Sequence, residues 1–119
     1  MSWTEQDQAE VEALAMDVLS GGRSQGAGVK HDTGKRRWTL LPWRELGEVV
    51  DVLGFGAQKY PSPNNWQSVE NARERYSDAA LRHVQAWLGG ERRDPETGKS
   101  HLAHAVCCLL FLMWFDAQG

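Results

Sequence analysis

Residues 75–104 read RYSDAALRHVQAWLGGERRDPETGKSHLAH, and this stretch decides the fold. Up to Leu88 its apolar and charged positions recur at helical spacing, and Gly89-Gly90 is the expected helix stop. Residues 92–99 then form a charged loop, and Ser100 caps a last helix that runs to about Asp116. The stretch also holds three of the chain's four histidines, with arginines and acids at helical spacing. Ionisable groups on the packed side of a helix are costly unless paired or coordinated, so their gathering here marks a candidate site.

Outward from this hairpin, the rest of the chain also reads as helix. Ser68 is a cap for the helix containing His83, which stands on the face of Ala79, Ala80, Ala86 and Trp87. Before it, PSPNNW (residues 61–66) is a turn. Pro42 suits the first position of a helix running to about Tyr60, with Leu46, Val49, Val50, Leu53 and Ala57 as its buried face. Gly54 and Gly56 weaken the end of that helix or allow close helix approach. Residues 29–41 lack helical period and read as an ordered loop. Nearer the start, Ser2 or Thr4 with Glu5 or Asp7 caps an accessory helix to about Leu19, which Gly21-Gly22 stops. A Gly/Ser/Gln-rich linker follows it. The expectation is an all-α bundle: an accessory arm over residues 1–28 and a helical domain over 29–119 with three main helices. The last helix is apolar almost all round at VCCLLFLMWF, which predicts burial against a second copy of the chain.

Composition narrows the function. At 119 residues the chain supports one core. A net charge of −3 argues against stable nucleic-acid binding. Cys107 and Cys108 are adjacent, with side chains about 100° apart on a helix, so they read as buried thiols in a reducing compartment. The polar start carries no signal peptide, and the apolar run at 105–115 is too short to cross a bilayer. The expected location is cytoplasmic.

Five groups of residues can carry chemistry. His101 and His104, three apart, share a helix face and can reach one ion or phosphate; the plainer reading is one exposed and one satisfied histidine. Glu45, Glu48 and Asp51 follow at spacing three, with Glu48 central. Carboxylates facing acids or histidines on a second helix are how bundles build metal sites, and a solvated acidic face is the alternative. Arg75, Asp78 and Arg82 form a stripe suited to intrahelical ion pairs, or to phosphate oxygens. Lys30, Asp32 and Lys35 lie in a Gly-containing loop that can close over a polyphosphate, although no P-loop occurs. Tyr60, Asn65 and Trp66 suit stacking and edge-reading of a base, or plain packing.

Taken in order, KHDTGKRRWTLLPW, EVVDVLGFGAQKY, NNW, RYSDAALRHVQAWLGGERRDPETG and HLAHA resemble the phage dATP/dGTP diphosphohydrolases, MazZ-like relatives of the all-α MazG-type enzymes. The strings span residues 30 to roughly 112, about two-thirds of the chain. The resemblance implies a nucleoside triphosphate pyrophosphohydrolase that cuts between the α and β phosphates with Mg²⁺ or Mn²⁺. It also implies a dimer or tetramer acting on a purine deoxynucleoside triphosphate, in the host cytoplasm if phage-encoded. The MazG-type pattern pairs an EExxE helix with an ExxD helix; here the first reads RELGE, with Arg44 in place of one acid. If HLAH aligns with ExxD, His101 and His104 replace carboxylates, and nitrogen ligands suit Mn²⁺, Zn²⁺ or Ni²⁺ better than Mg²⁺. Alternatively the histidines hold phosphate and the metal lies on Glu48 with Glu91 or Asp94.

The expected site therefore has Glu48, Glu91, Asp94, His101 and His104 as metal ligands, and Glu48, His83, His101 and His104 in catalysis. Lys30, Asp32, Lys35, Lys59, Arg75 and Arg82 meet the phosphates, and Tyr60, Asn65 and Trp66 the base. Two other classes stay open. An HD-type phosphohydrolase would release phosphate or triphosphate, but the only adjacent His-Asp pair, His31-Asp32, falls in the loop. A non-enzymatic helical interaction module would leave three histidines among acids unexplained.

Overall fold

A computed structural model describes residues 4–19 and 26–119. The chain is all-α: the described residues form α1 (Glu5–Leu19), α2 (Trp43–Lys59), α3 (Ala72–Leu88) and α4 (His101–Ala117). Short 3-10 turns lie at Trp38–Leu40 and Asn65–Ser68, and one isolated bridge joins Arg93 to Ser100. None of these helices is long and apolar enough to cross a membrane.

Local chemistry sets the helix ends. Thr4 Oγ1 accepts from the Asp7 N–H at 3.0 Å while Asp7 Oδ2 accepts from the Thr4 N–H at 2.9 Å, a reciprocal capping box for α1. Ser2, the Gly21-Gly22 stop and most of the linker lie outside the described residues. Pro42 stands one position earlier than expected, as the N-cap of α2, with its carbonyl accepting from Leu46 at 3.0 Å.

The start of α3 departs further from expectation. Ser68 belongs to the 3-10 turn, and Asn71 is the N-cap with a left-handed backbone, φ 56°. The turn is held there by Trp66, whose ring stacks on Phe111 of α4 at 4.2 Å. The end of α3 matches expectation. The Glu91 N–H donates to the Ala86 carbonyl and the Gly90 N–H to that of Trp87, a Schellman closure with Gly90 at φ 101°. A Cβ at Gly90 would touch nothing, so Gly90→Ala is expected to cost only the backbone strain, about 1–2 kcal/mol. Chemical denaturation reads that loss, and an unchanged midpoint would contradict the positive φ.

α3 and α4 run antiparallel: His83 meets His101, Tyr76 meets Phe111 at 5.1 Å, and Arg73 reaches the Phe115 carbonyl at 3.0 Å. α2 packs across α4, and α1 leans on α2, where Arg44 pairs with Glu12 at 3.1 Å. The core centres on Val49, Val52, Ala103 and Cys107, with Val106 and Phe111 against it.

The expected buried face of α2 holds in part. Val49 is buried as expected and Leu46 and Ala57 are half-buried, but Val50 and Leu53 are exposed, and Gly47 and Val52 are buried instead. Two apolar stripes run along α2, and α4 covers the Val49–Val52 one. A Cβ at Gly54 or Gly56 would meet no atom within 4 Å, so neither glycine serves close helix approach. Cys107 and Cys108 are free and buried, and burial, with the Cys108 thiol adding, pushes the Cys107 thiol up to about 12. On α4, Leu109, Leu110 and Met113 remain exposed.

Candidate active site

The antiparallel hairpin brings three histidines together. His83 of α3 faces His101 with their Nδ1 atoms 2.9 Å apart, and its ring stacks on His104 at 4.6 Å between centroids. His101 is 4% exposed, and His83 and His104 are half-buried. The other nitrogen of His101, Nε2, lies 2.6 Å from Glu91 Oε1. Glu91 owes this position to the Schellman closure, which turns the chain back over the end of α3.

The loop between α3 and α4 supplies Asp94. Its Oδ1 accepts from the Glu96 N–H at 2.8 Å and the Thr97 N–H at 3.1 Å, and Gly98 completes the turn at φ 72°. Burial raises the Asp94 carboxyl, but those two N–H donors outweigh it and hold it below the ordinary carboxylate range, helped by His104 and His83. Thr97 Oγ1 lies 2.7 Å from His104 Nε2. Among the described residues, ligand atoms of His83, Asp94 and His101 all lie within 4.8 Å of one another.

α2 anchors this loop. Glu48 Oε1 accepts from the Ser100 N–H at 2.6 Å and meets Arg93 Nη1 at 3.4 Å. Asp51 pairs with Lys99 at 2.9 Å, and Lys59 pairs with Glu96 at 2.7 Å. Residues 48, 51 and 59 share one side of the helix. Glu48 thus stands outside the His83–Asp94–His101 group, and Glu45 is exposed. Glu91 touches the group through His101, and His104 through the stacked ring of His83.

A cleft of about 1090 Å³ opens beside the cluster. His104, Thr97 and Glu96 line one part of it, Arg75, Asp78 and Arg82 another, and Lys59, Tyr60, Asn65 and Trp66 a third. Arg82 makes no hydrogen bond or ion pair among the described residues, and Asp78 pairs with neither arginine; Arg75 donates to the Glu70 carbonyl at 3.3 Å. The intrahelical ion pairs that the spacing suggested are therefore not formed. Tyr60 is half exposed, while one face of Trp66 lies against Phe111. Lys30, Asp32 and Lys35 stay apart in the exposed segment 26–37 and do not line the cleft. Arg93, Thr97 and Ser100 were not expected as site residues. The DPETG string, an acid before a Gly-ended turn, is the signal for Thr97.

Electrostatics favour the neutral form of His83 and His104. Burial, then the charges of His104 and His101, holds His83 below the ordinary histidine value; burial also lowers His104, against the pull of Asp94. The unfolded chain therefore binds more protons than the folded one just below about pH 6.5. This part of the stability is present above that pH and lost as pH falls through the lowered values. Urea midpoints measured in chelator should drop between about pH 7.5 and about pH 5. A flat profile would contradict the histidine burial.

A family model described as dATP/dGTP diphosphohydrolase, N-terminal, matches residues 25–119. The chain belongs to this family. A dATP/dGTP diphosphohydrolase of Salmonella phage PMBT28 is 41% identical over 87 residues, which make up 73% of this chain and 29% of that protein. The chain thus spans less than a third of that relative's length. No solved structure matches the chain. The matched residues of this diphosphohydrolase N-terminal family cover the cluster, its loop, the cleft and all of α2 to α4.

Proposed function

We propose that the chain is a metal-dependent pyrophosphohydrolase that converts a purine deoxynucleoside triphosphate to its monophosphate and pyrophosphate. One observation carries this reading: a nucleotide-sized cleft with cationic side chains runs up to a part-buried histidine–aspartate cluster. The family membership and the name of the phage relative support the substrate class.

In this reading Arg75, Arg82 and Lys59 neutralise the phosphates, where positioning and electrostatics supply most of the catalysis. Tyr60 and Asn65 meet the base, with Trp66 as a packed backing wall. His83, Asp94 and His101 would hold the metal, which when bound polarises a phosphoryl oxygen and lowers the pKa of the attacking water. The water oxygen bonds to the α phosphorus as the bond to the bridging oxygen breaks, and pyrophosphate leaves. His104, which meets Thr97 and lines the cleft, would take the water's proton at its unprotonated nitrogen. Lys30, Asp32 and Lys35 would join only through movement of their loop. If phage-encoded, the protein would act in the host cytoplasm. A second copy of the chain would cover Leu109, Leu110 and Met113, since α4 carries no Asp, Glu, Lys or Arg before Asp116 and charge is depleted at interface cores.

The test is to incubate the purified chain with each dNTP and a divalent metal and identify the phosphate product. Pyrophosphate is expected. Triphosphate or orthophosphate would indicate HD-type chemistry, and no turnover with any metal would leave an interaction module.

A further inference from the structure

We propose that His83, Asp94 and His101 form a nitrogen-rich site that takes a transition-metal dication such as Mn²⁺, Co²⁺ or Zn²⁺ in preference to Mg²⁺. Its grip is through the two facing Nδ1 atoms, and Glu91 is the residue that orients His101. The inference rests on the proposed hydrolysis for its purpose, while its geometry stands without it.

The tautomer of His101 follows from its neighbours. An ionised carboxylate only accepts, so the 2.6 Å contact to Glu91 places the ring proton on Nε2. With its ring proton on Nε2, His101 offers its Nδ1 lone pair toward His83 Nδ1, 2.9 Å away. Without metal, His83 Nδ1 donates its proton into that lone pair. With metal, His83 moves its proton to Nε2 and both Nδ1 atoms become ligands. Nitrogens about 2.0–2.1 Å from a tetrahedral ion stand about 3.3 Å apart, so the rings must part by a few tenths of an ångström and turn until both lone pairs converge on the ion.

Asp94 supplies the oxygen. Its Oδ1 is held by two backbone N–H donors, and Oδ2 makes no hydrogen bond among the described residues. The carboxylate–histidine–metal relay through Glu91 is the usual way a ligand ring is oriented and made more basic. Two imidazoles and one carboxylate suit Mn²⁺, Co²⁺ or Zn²⁺, whereas Mg²⁺ requires hard oxygen ligands in a near-octahedral shell. Of the acids that might have supplied such a shell, Glu48 Oε1 accepts the Ser100 N–H and Asp51 Oδ2 pairs with Lys99, while Asp51 Oδ1, buried without a partner, lies outside the His83–Asp94–His101 group.

The test uses the whole chain, stripped with chelator and titrated with Co²⁺, Zn²⁺ or Mg²⁺ alone. Visible Co²⁺ absorption, equilibrium dialysis and thermal shift are read together. Co²⁺ and Zn²⁺ are expected to bind one ion per chain and raise the melting temperature, and Mg²⁺ at the same concentration to do neither. His83→Gln and Asp94→Asn should abolish the Co²⁺ spectrum. Glu91→Gln should weaken affinity by about 10–100-fold, and His31→Gln, in the exposed loop, should change nothing. Far-UV circular dichroism separates lost binding from lost folding, and Glu91, being exposed, is the variant expected to fold unchanged. Equal binding of Mg²⁺, or undiminished Co²⁺ binding in Glu91→Gln and His83→Gln, would overturn the proposal. Metal bound without dNTP turnover would instead remove the hydrolase reading and leave the site, while turnover supported equally well by Mg²⁺ alone would do the reverse.

Discussion

Asp94→Asn is expected to lower dNTP turnover by more than about 100-fold, beyond the range seen when only an outer partner of a metal ligand is lost. The substitution is chosen because asparagine keeps an oxygen where Oδ1 accepts from the Glu96 and Thr97 N–H groups. The turn, and with it Thr97 against His104, is therefore retained. What disappears is the negative charge beside His83 and His101 that a dication would need. Steady-state kinetics and a melting curve on the same preparation check this. Retained turnover would take Asp94 out of the site, and a large drop in melting temperature would make it a structural anchor instead.

Glu48 should behave in the opposite way. Its Oε1 accepts the Ser100 N–H at 2.6 Å, at the point where the loop enters α4, and it is only partly exposed. Removing that acceptor strands a part-buried donor, so Glu48→Ala is expected to destabilise the fold by about 1–3 kcal/mol. Glu48→Gln retains an amide oxygen for the same bond and should be much milder in both stability and turnover. Urea denaturation and kinetics on the two variants distinguish the roles. If Glu48→Gln abolishes turnover with the fold intact, the carboxylate binds metal as the MazG-type pattern implies, and the structural assignment of Glu48 to the loop is incomplete.

The hairpin was legible because its punctuation is local. Gly89-Gly90 and Ser100 act on their own backbone neighbours, and both ends fall where the sequence places them. The meeting of His83 with the HLAH turn was legible too, since helical faces on both sides of a short loop must converge. The buried face of α2 was legible only in part. Val49 falls in the core as expected, but Val50 and Leu53 repeat as well as Val52 does, and period alone cannot say which of them α4 covers and which stay exposed. Asp94 carries no periodic signal, because its position comes from an Asx turn and from the grip of α2 on the loop. Spacing put Glu48 on the right side of α2 but could not name the backbone N–H it meets. The segment at 30–35 entered through charge and resemblance, and the fold leaves it away from the cleft.

The central claim is that water attacks the α phosphorus of a purine dNTP in the cleft beside the histidine cluster. It is tested most directly by running the reaction in ¹⁸O-labelled water with the metal-loaded chain and reading both products by phosphorus NMR. The account predicts one labelled oxygen in the deoxynucleoside monophosphate and unlabelled pyrophosphate. Label in the pyrophosphate, or release of orthophosphate or triphosphate in its place, would contradict it.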